Sequence, residues 1–186
     1  MADENHRGRP LALALIITSF YFVVEVGGGI LTNSLALLSD AGHMFSDMAA
    51  LALSLLAFQF SRRPATTTRT FGYYRLEILA ALVNGLALWL IVGIILHEAF
   101  HRFLNPPVVQ SLGMLVVASI GLAVNATAGL CLYGSHHDNL NIRAAFLHVL
   151  GDALGSVGAI AAGVIMLLTD WYLADPLVSV LIGGLI

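Results

Sequence analysis

The sequence predicts an all-α membrane protein, a bundle of six transmembrane helices. Three observations carry that reading. Of 186 residues, 59% are hydrophobic and only 10% charged, and the mean hydropathy of +0.90 lies far outside the range of soluble domains. The charged residues cluster between apolar stretches of about 20 residues or more, the length an α-helix needs to cross a hydrocarbon core of roughly 30 Å. Prolines, arginines and polar clusters divide the chain into six such stretches.

The first span, near 10–31, follows "MADENHRGRP", which is too polar for a cleaved signal peptide, so the span is expected to stay as an uncleaved anchor. The second, near 35–60, begins after the uncharged turn "TNS" and stops before Arg62 and Arg63. The third, near 73–103, ends in "HRFLNPP", and the fourth, near 108–133, starts beyond those prolines and runs to the loop "GSHHDNLN". The fifth covers about 141–169, and the sixth begins near 173, after "TDWYLADP", and is cut short at Ile186.

Orientation follows from the arginines, which make up all eight basic residues. A cytoplasmic N-terminus places Arg7, Arg9, Arg62, Arg63, Arg69, Arg75 and Arg143 inside and leaves only Arg102 outside, so both termini are expected to face the cytoplasm. Trp171 and Tyr172 suit an interfacial anchor on the outer side. The single cysteine, Cys131, has no partner, which excludes a disulfide framework and a thiolate metal cage.

Several acids stand at membrane depth: Glu25, Asp40, Asp47, Glu77 and Asp152, with Glu98 nearer an end. A carboxylate at a helix centre costs at least about 3 kcal/mol on insertion scales, so each must be paired, protonated or turned to a wet cavity. Glu77 lies two residues after Arg75, where an interfacial charge network explains it as well as function does. Glu25 precedes "GGG", where close helix approach suits a buried hydrogen bond between helices. His97 and His101 sit near the outer end of the third span and need no special role. His136 and His137 lie in the short loop between spans four and five, a weak cation trap or simply a solvated turn.

One pattern resists a bland explanation. "SDAGHMFSDM" sets His43 four residues before Asp47, and "LHVLGDALGS" sets His148 four residues before Asp152. Residues i and i+4 share a helical face, so each pair points one way. Stripes of small residues run beside them, Gly151, Gly155, Ala159 and Gly163 on the fifth span and Gly42, Ser46, Ala50 and Ser54 on the second, and such stripes let backbones approach closely. The spans run in opposite directions, and the pairs can converge near the midplane. Together they would offer two imidazole nitrogens and two carboxylate oxygens, a set suited to tetrahedral Zn²⁺. Two aspartates, two neutral imidazoles and a divalent ion sum to zero charge, which relieves the penalty for an ion in a low-dielectric interior. Emptied, the site leaves two buried carboxylates, and protons must compensate, so metal and protons compete for one place.

These residues resemble the cation diffusion facilitators, in particular the bacterial zinc, cobalt and cadmium efflux members. The resemblance rests on "NSLALLSDAGHMFSD", "RTFGYYRLEILAALVNG" and "HVLGDALGSVG", and it extends over essentially the whole chain. It implies an efflux transporter in the bacterial inner (plasma) membrane that exchanges cytoplasmic divalent metal for protons and acts as a homodimer. Its partners are metal ions, protons and the lipid bilayer, and no nucleic acid. The matching metal positions are His43, Asp47, His148 and Asp152, and the His/Asp pairs resemble the zinc-preferring subgroup, with Zn²⁺ as transported substrate. Co²⁺, Cd²⁺, Fe²⁺ or Mn²⁺ are the alternatives. Asp40, one turn before His43, is expected to orient that ring, and Glu77, His136 and His137 are pathway candidates. Residues 1–186 match the transmembrane transport domain, and the ferredoxin-like cytoplasmic domain usual after the sixth span does not follow. A membrane metalloenzyme is disfavoured: there is no His-Glu-x-x-His helix, and four protein ligands leave no open position for a reactive water.

Overall fold

The computed structural model describes residues 19–61, 75–133 and 140–185, and among these every element is helical. The described part of α1 is Ser19–Thr32. It is followed by α2 (Leu35–Ser61), α3 (Arg75–Leu104), α4 (Ser111–Tyr133), α5 (Leu140–Thr169) and α6 (Ala174–Leu185). Helices α2 to α5 coincide with predicted spans to within a few residues, α6 begins where the sixth span was expected, and the expected start of the first span near residue 10 lies outside the described residues. The segments Ala81–Leu104, Ser111–Cys131 and Phe146–Thr169 are long and apolar enough to cross a membrane by length and composition. At 27 residues α2 has the length as well, but Ser39, Asp40, His43, Ser46 and Asp47 dilute its hydropathy. Helices are the form expected here, because a bilayer offers no water and every backbone group must bond within the segment.

The chain forms two units, one of residues 1–41 and 95–186 and the other Gly42–Ile94. The first has a core built from small and flexible side chains: Ala36 and Leu37 of α2, Met114 and Ala118 of α4, Ala159, Ala162 and Met166 of α5, and Ala174 and Ile182 of α6. Small residues set the helix spacing. A Cβ at Gly163 would lie 2.8 Å from Leu115 Cγ, and one at Gly28 would lie 2.7 Å from Val117 Cγ2. Alanine at either position would require the facing α4 side chain to shift, so the small residue is part of the close packing there. Of the α5 stripe, Gly155, Ala159 and Gly163 therefore lie on packed seams, whereas nothing approaches Gly151. Large apolar side chains such as Phe20, Leu112, Leu130 and Leu168 point outward, where lipid is the solvent.

Two helices of this unit end on left-handed residues. Asn33 has φ 57° and Asp170 has φ 55°. At the end of α1, Ser34 N–H donates to Gly29 O at 3.0 Å and Asn33 N–H to Ile30 O at 3.3 Å, the paired closure of a Schellman cap. At the end of α5 the single bond from Asp170 N–H to Met166 O, 3.0 Å, makes the simpler left-handed cap. Asn and Asp are the residues besides Gly that tolerate this conformation.

The second unit holds the remainder of α2 and the greater part of α3. Along α3, Ile78, Leu82, Leu86, Trp89 and Leu90 are exposed apolar side chains, an outward surface compatible with hydrocarbon.

Candidate metal centre

His43 and Asp47 belong to α2 and to the second unit; His148 and Asp152 belong to α5 and to the first. Unbroken helix through both stretches sets partners one turn apart on one face. The atoms that meet are the same in each: His43 Nε2 lies 3.5 Å from Asp47 Oδ2, and His148 Nε2 lies 3.7 Å from Asp152 Oδ2.

These separations are informative. A protein N–H···O bond closes to about 2.7–3.2 Å, so neither pair is drawn into a tight hydrogen bond. Two ligands on a tetrahedral Zn²⁺, each bonded at about 2.0–2.2 Å, stand about 3.3–3.6 Å apart. Each helix therefore presents a nitrogen and an oxygen at nearly the bite of one tetrahedral ion.

The neighbourhood in the first unit is acidic and buried. Asp40 is 5% exposed and Glu25 1% exposed, and the two carboxylates lie side by side. Glu25 accepts a hydrogen bond from Tyr21 Oη, 3.0 Å, one turn earlier on α1, and its carboxyl also shares a hydrogen bond with that of Asp40 on α2, the bond between helices that the sequence suggested. Gly121 makes room for that hydroxyl, since a Cβ there would collide with Tyr21 and lie 3.2 Å from the buried Ser156 Oγ. Gly155 lies beside Asp40, whose Oδ1 would be in ordinary contact with an added Cβ at 3.5 Å. Asp40 precedes His43 by about one turn of α2, but no hydrogen bond joins it to His43 Nδ1, so the structure does not show the orienting contact expected of it.

The pathway candidates fare differently. Glu77 falls in the first turn of α3, and His136 and His137 lie outside the described residues. The rings of His97 and His101 meet edge to face at 4.6 Å on an exposed face of α3.

Sequence reasoning missed a second polar constellation, at the turn between α1 and α2. Asp175, in the first turn of α6, is fully buried. Its Oδ1 accepts from Ser34 Oγ at 2.7 Å and from Ala36 N–H at 3.1 Å, and its Oδ2 from Leu35 N–H at 2.7 Å. Arg102 Nη1 approaches Oδ2 at 3.5 Å. The same guanidinium donates to Asn33 O at 2.7 Å, Asn33 Oδ1 at 3.1 Å and Glu98 Oε1 at 2.9 Å. Ser34 Oγ also accepts from Leu37 N–H at 3.3 Å, an ordinary N-cap. The signal available in the sequence was a lone outer arginine together with an aspartate opening a helix.

Apolar helices with matched His–Asp pairs set into two of them define a polytopic helical membrane protein. The chain matches the cation efflux transmembrane domain over residues 11–186, and it belongs to that family. Its relatives include the zinc transporter ZitB of Escherichia coli, 50% identical over 184 residues, which is 98% of this chain and 59% of that protein. The "Cadmium, cobalt and zinc/H(+)-K(+) antiporter" of Bacillus subtilis is 47% identical over 99% of this chain and 60% of its own length. The metal cation efflux system protein CzcD of Cupriavidus metallidurans is 46% identical over 97% of this chain and 58% of its own length. The chain thus spans about six-tenths of the length of these relatives. The family is one of cation efflux proteins and not of enzymes.

Proposed function

We propose that this protein exports divalent metal ions, Zn²⁺ by preference, from the bacterial cytoplasm across the inner membrane in exchange for protons. The ion is held by His43 and Asp47 from α2 together with His148 and Asp152 from α5. The observation that carries this reading is the repeated Nε2–Oδ2 separation, 3.5 and 3.7 Å, which suits the bite of a tetrahedral ion twice over. Both termini face the cytoplasm on the arginine distribution, and the working unit is a homodimer by resemblance to the family.

Chemistry supplies the coupling. Loaded, the four side chains and the ion are neutral together; empty, two carboxylates are left in a medium that tolerates little net charge. Protons from outside neutralise the emptied site, so acid on that side promotes release and the returning site carries protons inward. The names of the relatives support metal efflux, and that of the Bacillus subtilis protein includes cation exchange. That same name favours Cd²⁺ and Co²⁺ as further cargo, which a nitrogen–oxygen ligand set admits.

The test is metal uptake into proteoliposomes under an imposed pH gradient, with Zn²⁺, Cd²⁺, Co²⁺ and Mn²⁺ compared and the membrane potential clamped. Zinc should move fastest, and only with the gradient. Equal zinc rates with and without it would sink the exchange mechanism and leave a passive uniporter.

A further inference from the structure

The constellation around Asp175 has no part in binding the ion, yet it holds the start of the helix that carries half of the ligands. An α-helix leaves its first N–H groups without intrahelical partners, and a side chain just ahead of the helix commonly takes one of them. Here Ser34 takes Leu37 N–H in that way, while Leu35 and Ala36 N–H bond to a carboxylate from α6, some 140 residues along the chain. Both oxygens of Asp175 are used, and its charge lies at the positive end of the α2 dipole. Arg102 closes the arrangement from α3 by holding the Asn33 carbonyl, the Asn33 side chain and Asp175.

We propose that Asp175 is a positioning residue for metal binding: it caps α2 from α6 and so fixes the height and rotation at which α2 presents His43 and Asp47. His43 lies eight residues beyond Leu35, about 12 Å along the axis at 1.5 Å per residue. Within one helix the direction of each side chain follows from that of its start, at 100° per residue. A helix start held by two amides and a hydroxyl on one buried carboxylate can neither turn nor slide without breaking several bonds together. Asparagine at position 175 would keep the shape but replace one accepting oxygen with a donor, which would face either Leu35 N–H and Arg102 or Ser34 and Ala36 N–H.

This role rests on the proposed ligation by His43 and Asp47, and the experiment separates the two. Zinc and cadmium affinities are measured by titration calorimetry on the purified, detergent-solubilised protein, with hydrogen exchange at the Leu35 and Ala36 amides as the local readout. Asp175→Asn should weaken zinc binding about five- to tenfold at unchanged stoichiometry, the scale of a lost helix cap of 1 kcal/mol or somewhat more. Leu35 and Ala36 should exchange faster, and the zinc-to-cadmium affinity ratio should fall, because a displaced site fits the smaller ion worse. Ser34→Ala should show the same pattern more weakly, with Ser34→Thr restoring it, and this pair decides the matter if Asp175→Asn does not fold. A purely structural role would lower the yield of folded protein and leave both the affinity and the ratio of the folded fraction unchanged. Faster exchange at Leu35 and Ala36 with wild-type affinity and ratio overturns the proposal. If Asp47→Ala itself leaves zinc affinity intact, the ligand assignment falls, and the positioning role falls with it.

Discussion

Two regions of the protein set aspartates into helices, and they treat them in opposite ways: Asp175 is fully buried, whereas the Asp47 and Asp152 side chains are 43% and 18% exposed. Asp175 receives a hydroxyl and two amides at 2.7–3.1 Å, with an arginine at 3.5 Å. Asp47 and Asp152 each face an imidazole nitrogen across 3.5 and 3.7 Å. The first arrangement is closed: every lone pair that matters is engaged, and the carboxylate binds three parts of the chain together. The second is spaced for an atom that would sit between its members. A carboxylate thus serves as a joint where donors have closed in and, on the proposed ligation, as a ligand where a gap of coordination width is kept. The contrast lies in distance, partner and burial, since residue type alone does not separate the two.

The largest effect that can break this comparison is on transport. Asp47→Ala or Asp152→Ala should abolish zinc uptake by proteoliposomes while the protein still inserts and folds, and thermal stability should change little because neither carboxylate is fully buried. Robust uptake by Asp152→Ala would remove that residue from the site. Asp175→Ala should do the reverse to the fold: breaking a buried, fully bonded charge pair costs about 3–5 kcal/mol, visible as a loss of denaturation midpoint. If Asp152→Ala and Asp175→Ala lowered stability equally, the distinction between joint and ligand would fail.

A smaller effect sharpens the ligand side. His43→Asp replaces a nitrogen with an oxygen and adds a negative charge, so preference should move from Zn²⁺ toward harder or larger ions without loss of insertion. An unaltered ranking of Zn²⁺, Cd²⁺ and Mn²⁺ rates would count against direct ligation by His43. The smallest change is one of slope. Zinc binding should weaken as pH falls from about 7 to 5.5, because imidazole protonation removes the lone pair that the ion needs. With His43 and His148 both replaced by asparagine, residual binding should lose that dependence near neutrality, as calorimetry across the pH range would register.

Much of this was legible in the sequence because it is local. Six spans emerged from hydropathy, and α2 to α5 begin and end within a few residues of the expected limits. His43 with Asp47, and His148 with Asp152, were legible because i,i+4 spacing is a property of one helix. What stayed hidden depends on contacts distant in sequence. Arg102 registered only as the outer exception to an inward charge bias, and Asp175 only as one acid in a polar loop. Nothing periodic announces that these residues meet at Ser34, since a cap supplied from about 140 positions away leaves no spacing to read. Glu25 was expected to bond to a neighbouring helix and does so at Asp40 of α2, whereas its second bond, from Tyr21 one turn earlier, was overlooked because attention fell on the glycines that follow it.

The near-identical separations on α2 and α5 also bear on hydration. A dication in water carries a tightly held shell, and stripping it all at once would present a steep kinetic barrier. On the proposed ligation each His–Asp pair is complete on one helix, so an arriving ion would exchange waters for one nitrogen and one oxygen while solvent still covers its other side, then surrender the rest at the second pair. Departure can follow the reverse order, with water replacing one helix before the other lets go. Dehydration divided in this way favours rapid turnover over tight retention, as befits an ion that must leave.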